Sequence, residues 1–410
     1  MSDVIDRLVR YCRVSTQSNP ANEAQVPSNA AEFDLARLLE SELHGLGLSD
    51  AHVDENSYVT AHLPASEGCE NAPCLALIAH IDTSPDAPAV GVEPLIRHYD
   101  GGELVLGECN GERVSLTEQN TPGLSKLAGE DFVCTDGSTL LGADDKAGVA
   151  EIMAYLARAV ADATLRHPRI AVCFAPDEEI GHGCSLLDVD SFGAAYGYTI
   201  DGDELGGVEY ECFNAASVTV RVRGHEIHPG SAKNVMVNAL RVLEDFDRLL
   251  PENARPEHTD GYEGFFHLCD IQGTCSEAVA HYIVRDHSAD AFAAKKQAVL
   301  DIADFINKRW SEPRVLVDIR DQYRNMAEMV APHPVLVDNA YQAFSNIGVK
   351  AFTRPIRGGT DGAALSFRNL PCPNISTGGF NYHSVREFAV VSQVERMVDF
   401  LCELGKLFAK

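Results

Sequence analysis

The sequence predicts an α/β fold, in which a main domain with a mainly parallel central sheet is interrupted by a smaller α+β insertion. Three observations predict it. Short, continuous apolar runs (Cys74 to Ala79, Ile170 to Ala175 and Ala195 to Ile200) alternate with amphipathic helical segments, as expected for strands covered on both faces. Around Glu211 the style changes to strict alternation, with Val218, Val220 and Val222 set against Thr219 and Arg221, the mark of a sheet with one open face. Towards the C-terminus the first style returns. The expected boundaries are 1–211 and 323–410 for the discontinuous main domain and 212–322 for the insertion.

The elements follow in order. Met1 to Thr16 places Asp3 and Asp6 among its apolar residues; without a long apolar stretch it reads as a first helix, not a signal peptide. Asn29 to Gly47 repeats Leu35, Leu38, Leu39, Leu43 and Leu46 at helical spacing, with Gly45 and Gly47 as a stop. Lys146 to Val160 sets Val149, Ile152, Met153, Leu156 and Val160 on one helical face. Within the insertion, a helix is expected from about Ala232 to Leu250, and strands at Phe265–Ile271, His281–Arg285 and Val315–Ile319. The main domain then resumes with Pro334–Phe344, a strand at Asn374–Thr377 and a closing helix at Gln393–Phe408.

Composition limits the possible functions. At 45% hydrophobic and 7% aromatic residues, the chain can bury a sizeable core. It has no run of roughly 20 apolar residues such as a bilayer span needs. A formal charge of −28 repels nucleic acid and anionic membranes, so neither is expected as a partner. The 12 cysteines are scattered from Cys12 to Cys402 without a CxxC pair. Cys74 and Cys173 lie inside apolar runs, where a free thiol packs as a small hydrophobe. Free thiols in a reducing, cytoplasmic compartment are expected.

Chemistry gathers at strand ends. His80-Ile81-Asp82 follows LALIA, Asp177-Glu178-Glu179 follows IAVCFAP, Asp201 follows GYTI, and Gly142-Ala143-Asp144-Asp145-Lys146-Ala147-Gly148 opens the long helix. Ligands collect at the carboxyl ends of strands in open α/β sheets, so these groups can converge. Imidazole with carboxylates, and no thiolate, suits a hydrolytic divalent ion better than a closed structural site. An aspartate two residues from a histidine can also hold the imidazole ring. Each piece alone has a plainer reading: a surface pair, a solvated turn, an ordinary helix start or, for His383 in GGFNYHS, a satisfied polar histidine. Their joint placement is what predicts a metal site.

As a set these motifs have a family likeness. AHIDTSPD, LLGADDKAGVAEIM, APDEEIG, FNAASV, HPGSAKNVMVNAL, GYEGF, HYIVRD, PIRGGTDGAALSF and STGGFNYHSVREF span essentially the whole chain. The chain resembles the glutamate carboxypeptidase and aminoacylase-like zinc peptidases, and GYEGF, HYIVRD and PIRGGTDG point to their peptidase T (tripeptide aminopeptidase) branch. The resemblance implies two Zn²⁺ per subunit, with Co²⁺ or Mn²⁺ able to substitute. It implies that His80, Asp144 and Asp201 hold one ion. Asp144 then bridges to a second, completed by Glu179 and His383. By the same resemblance Asp82 orients His80, Glu178 is the general base, and the Asp144-Asp145 peptide is cis. His228 is implied to steady the oxyanion from the inserted lid and dimerisation domain of a partner subunit, and Arg285 and Arg357 to anchor the peptide carboxylate. Left open are a turn-capping role for His228 and structural roles for the two arginines. The implied partners are short peptides and a second copy of the chain. One departure concerns the residues after Asp201: the family usually continues with a glycine-rich run, whereas this chain has Asp203 and Glu204.

Overall fold

A computed structural model describes residues 2–109 and 111–410. The chain forms two compact units. The first comprises the residues up to Tyr210 together with Glu328–Arg354 and Thr360–Lys410. The second comprises Glu211–Ala327 and Pro355–Gly359. Residues 323–327 and 355–359, which the sequence reading assigns to the main domain, therefore pack with the second unit.

The first unit is built on a seven-stranded mixed sheet. Its order is His52–Val53, Val59–Leu63, Ile170–Ala175, Leu75–His80, Tyr196–Gly202, Asn374–Ser376 and Val208–Glu209. The four central strands run parallel, and the antiparallel pairs lie towards the edges. Every residue of Leu75–His80 and of Ile170–Ala175 is buried, which is why both read as unbroken apolar runs. Each fully buried Ile or Phe there contributes roughly 1.5–3 kcal/mol. The Ala143–Ala161 helix lies on the strands Leu75–His80 and Tyr196–Gly202, and the helices Asp3–Cys12 and Val391–Phe408 pack against it.

Two features of this unit escape the hydrophobic pattern. The Ala143–Ala161 helix is interrupted at its start, where Asp144 (φ −82°, ψ 104°) and Asp145 (φ −119°, ψ 34°) are non-helical and joined by a cis peptide. Regular helix begins only beyond them, close to the expected Lys146. The second feature is a small sheet of Gly379–Phe380, Phe388–Val390, Asp131–Cys134 and Leu95–His98. Phe132 and Phe388 meet there at 4.6 Å between ring centroids. This sheet anchors the turn that carries His383.

In the second unit the sheet order is Phe265–Gly273, Glu277–Asp286, Asn214–Arg223 and Val315–Tyr323, antiparallel throughout. Val218, Val220 and Val222 turn towards the helices Ala239–Leu249 and Ala289–Asn307, joining Leu243, Phe246 and Ile306 in one core. The alternate residue Arg221 is exposed and Thr219 partly so, as the alternation requires. The helix expected from Ala232 starts at Ala239 instead. Asn238 caps it, accepting the Leu240 N–H at 3.0 Å, and a Val237–His225 bridge holds the preceding segment extended.

Candidate metal centre

His80 is the last residue of its strand, Asp201 sits near the end of the parallel neighbour, and Glu178–Ile180 forms a short 3₁₀ turn just beyond Ile170–Ala175. Asp144 enters from the interrupted start of the long helix. His383, held at φ 59°, enters from the turn before Phe388–Val390. Five side chains distant in sequence thus meet at one end of the parallel sheet, where the crevice of an open α/β sheet lies.

Asp144 stands between the two histidines. Its Oδ1 is 3.0 Å from His80 Nε2, and its Oδ2 is 3.3 Å from His383 Nε2. His80 Nε2 also lies 3.6 Å from Asp201 Oδ1, and His383 Nε2 lies 2.9 Å from Glu179 Oε2. Two donors on one tetrahedral zinc, each about 2.0–2.1 Å from it, are about 3.3 Å apart. The four spacings, from 2.9 to 3.6 Å, together bracket that value. In addition, Glu179 Oε1 is buried without a hydrogen-bond partner among the described residues, a position a cation can satisfy. The donor set therefore fits two divalent ions sharing Asp144.

The electrostatics agree with that fit. Burial raises the Asp201 carboxyl, and repulsion from Asp144 adds to it, to about 8. Burial likewise pushes Glu179 up to about 6 against the pull of His383. Hydrogen bonds to Asp144 and Glu179 push His383 up to about 11. For Asp144 burial acts upward, but the hydrogen bonds from His383 and His80 prevail and hold it below the usual carboxylate range. Cations placed among these groups relieve both the desolvation and the like-charge repulsion.

The surrounding groups hold the donors in place. Asp82, fully buried, faces His80 Nδ1 at 3.2 Å, accepts the N–H groups of Glu178 and Glu179 at 3.0 and 3.1 Å, and takes a hydrogen bond from Ser18. Asp145 also lies near His80 and Asp201. Its carboxylate already accepts the backbone N–H groups of His80 and Gly148, at 3.2 and 3.1 Å, so it supports the site from below. Gly148 is required there: a Cβ would meet Ile200 O at 1.8 Å and Asp145 Oδ1 at 2.6 Å. Glu178 differs from its neighbours. Burial raises its carboxyl well above the usual range, and among the described residues no hydrogen bond holds it.

Sequence reasoning missed one buried acid beside the site. Glu387 accepts the N–H groups of Leu141 and Gly142 on Oε2, at 2.9 and 2.8 Å, and that of Asp144 on Oε1 at 2.9 Å. The available signal was its place four residues beyond His383 in HSVRE. Asp86, 3.2 Å from His383 Nδ1, was quoted within AHIDTSPD without a role.

The other three predicted residues belong to the second unit. His228 Nδ1 accepts the Gly230 N–H at 3.1 Å and so caps the Pro229–Ser231 turn. Arg285 Nη1 donates to the carbonyls of Ala216 and Val284, with the guanidinium over Tyr323. Arg357, expected to anchor a peptide carboxylate, has both terminal nitrogens engaged. Nη1 donates to Gly261 O and Glu263 O, Nη2 to Thr259 O and Oγ1, and the group stacks on Phe213 and Phe265. Four carbonyl or hydroxyl contacts tie Arg357 to the 259–263 turn.

A mixed α/β sheet with a paired-ion donor set at its carboxyl edge, interrupted by an antiparallel domain, is the architecture of the M20 peptidases. Residues 210–311 match the peptidase dimerisation domain model. The chain is 42% identical to peptidase T of Geobacillus thermodenitrificans over 407 residues, covering 99% of this chain and 98% of that one. It is 43% identical to peptidase T of Clostridium acetobutylicum over 411 residues, covering 100% of both. Among solved structures, it superimposes on aminopeptidase PepT from Bacillus cereus with a TM-score of 0.78 at 18% identity, covering 100% of this chain and 98% of that one. It also superimposes on a dinuclear metal-binding peptidase of the M20 family from Bacillus subtilis, with a TM-score of 0.65 at 14% identity, covering 98% and 96%. The chain belongs to the peptidase T family.

Proposed function

We propose that this chain is a two-zinc aminopeptidase that removes the N-terminal residue of short peptides, preferentially tripeptides. The observation that carries the reading is Asp144, whose two oxygens face different histidines at 3.0 and 3.3 Å. His80, Asp144 and Asp201 hold one ion and Asp144, Glu179 and His383 the other. Bound there, two zinc ions supply a water acidified towards neutral pH and an electrophile for the peptide carbonyl.

The chain's own residues do the rest. Glu178, uncommitted and next to the ligand Glu179, takes the proton of the attacking water and returns it to the leaving amine. Asp82 fixes the His80 ring and, through two backbone N–H groups, the turn that carries Glu178. His228 is the oxyanion donor, acting on a partner subunit. Its Nδ1 accepts from Gly230, which leaves the proton of the neutral ring on Nε2, the donor the role needs. Arg285 is the carboxylate anchor, and Arg357 shapes the adjoining turn. The dimerisation domain match supports a homodimer. Twelve free thiols suit a cytoplasmic setting, and no helix among the described residues is long and apolar enough to cross a membrane.

The test is hydrolysis of Ala-Ala, Ala-Ala-Ala, Ala-Ala-Ala-Ala and N-acetyl-Ala-Ala-Ala by zinc-loaded and chelated protein. Metal-dependent release of one Ala, with the free tripeptide preferred, is expected. Cleavage of the acetylated peptide, or preference for the dipeptide, would overturn the aminopeptidase assignment.

A further inference from the structure

Glu387 is a fully buried carboxylate, 1% exposed, that faces no arginine or lysine ion-pair partner among the described residues. The nearby Lys146 directs its Nζ at Val14 O, 2.7 Å away. What surrounds the Glu387 carboxylate is backbone: three N–H groups from Leu141, Gly142 and Asp144 converge on its two oxygens. Three inward-pointing donors require an acceptor with lone pairs on both atoms. A carboxylate provides them, and an amide of the same shape cannot, because its NH₂ would face an N–H.

The residue joins two pieces of the metal centre. On one side it grips the 141–144 segment, where Gly142 adopts φ 81° and Asp144 leaves the helical region. On the other it closes the turn that bears His383. The Glu387 N–H donates to Ser384 O at 3.1 Å, and Ser384 Oγ donates to Asn381 O at 2.7 Å. One side chain therefore connects the backbone of the shared ligand Asp144 to the loop of the ligand His383. The first ion's other ligands, His80 and Asp201, are fixed differently, by adjacent parallel strands and by Asp82.

We propose that Glu387 is a positioning residue that sets the separation of Asp144 and His383, and thereby governs binding of the second ion more than the first. The proposal rests on the two-ion reading above. It concerns affinity and geometry, since Glu387 touches neither peptide nor ion.

The experiment is a titration of metal-free wild type, Glu387→Gln and Glu387→Asp with Co²⁺, following stoichiometry by equilibrium dialysis and the visible d–d spectrum. Thermal melts are recorded with and without the ion. Wild type is expected to take up two ions. Both variants are expected to keep the first at near-wild-type affinity and to weaken the second by about 10–100-fold, the usual effect of removing support behind a ligand. The spectral change belonging to the second ion moves to correspondingly higher Co²⁺. Two ions bound at wild-type affinity, with an equal loss of melting temperature in metal-free and loaded protein, would make Glu387 a structural anchor only and overturn the proposal. Loss of both ions together, or failure of both variants to fold even with metal, would overturn it as well. Wild type that binds fewer than two ions would instead remove the two-ion reading, a different result from a variant that matches a two-ion wild type.

Discussion

The Asp82 carboxylate lies 3.2 Å from His80 Nδ1 while accepting the backbone N–H groups of both Glu178 and Glu179. One buried side chain thus orients a proposed metal ligand and positions the turn that holds the proposed base. Removing it should affect both functions. Asp82→Ala is expected to weaken metal binding by about 10–100-fold and, at saturating zinc, still to lower kcat because the Glu178 turn is released. Metal affinity by chelator competition and kcat in excess zinc separate the two effects. Full recovery of kcat in excess zinc would confine Asp82 to the histidine.

Glu178 and Glu179 are neighbours with opposite assignments. Glu179 Oε2 is 2.9 Å from His383 Nε2, whereas the Glu178 carboxyl has no hydrogen-bond partner among the described residues. Glu178→Gln should therefore keep the fold and both ions and lose at least ~10²-fold in kcat. Glu179→Gln should lose metal. A zinc-loaded Glu178→Gln protein with near-normal turnover would take the base role away from Glu178.

The sequence disclosed those elements whose surroundings are uniform. Leu75–His80 and Ile170–Ala175 are buried along their length, so an apolar run identifies each of them. The clustering of the candidate donors was legible for a related reason: His80, Glu179 and Asp201 fall where strands end, and their residue types suit a hydrolytic ion. What stayed hidden depends on backbone geometry or on distant partners. Apolar periodicity carries no trace of the break at Asp144-Asp145, whose cis peptide only the family resemblance implied, and Asn238 starts a helix seven residues late through one side-chain bond. Glu387 is meaningful only once Leu141, Gly142 and Asp144 are seen to point at it. The resemblance made Arg357 an anion anchor and left a structural role on its glycine-rich turn open; the carbonyls that it contacts lie about a hundred residues away in sequence.

Metal binding should release protons at pH 7. Without ions, Asp201 lies at about 8 and His383 at about 11, so both are largely protonated, and each must lose its proton to coordinate. Apparent zinc affinity should accordingly rise with pH between 6 and 8. Calorimetry in buffers of different ionisation enthalpy measures the released protons directly. Chelation should also lower the melting temperature, because an ion at about 1,000 times its Kd stabilises the fold by about 4 kcal/mol. A proton-neutral association would contradict the charge distribution described here.

His228 Nδ1 is occupied by the Gly230 N–H, so turn capping and oxyanion donation are compatible roles for its two nitrogens. His228→Asn can keep the cap while moving the donor; His228→Ala removes both. Both should lower kcat by about 10²–10³-fold, the scale for one oxyanion donor, with little change in metal content. Hybrid dimers of His228→Ala with Glu178→Gln should regain part of the activity if the donor serves the partner subunit. Proven subunit exchange without recovery would place the donor elsewhere.

Glu151 is fully buried in the Ala143–Ala161 helix, and neither carboxylate oxygen has a hydrogen-bond partner among the described residues. Burial raises its carboxyl well above the usual range, so between the unfolded and the folded value the folded chain holds a proton there that the unfolded chain has released. With the folded pKa raised, its favourable contribution is complete below the unfolded value of about 4.3. It then declines as pH climbs towards the folded value, by up to about 1.4 kcal/mol per pH unit. Glu151→Gln cannot titrate and should flatten this part of the stability curve. Denaturant unfolding of the metal-loaded proteins from pH 5.5 to 8 compares the slopes, which cancels any fixed cost of burying the amide. The variant should gain on wild type steadily with rising pH, whereas parallel curves would mean that Glu151 is ionised in the fold and has a partner such as an ordered water network.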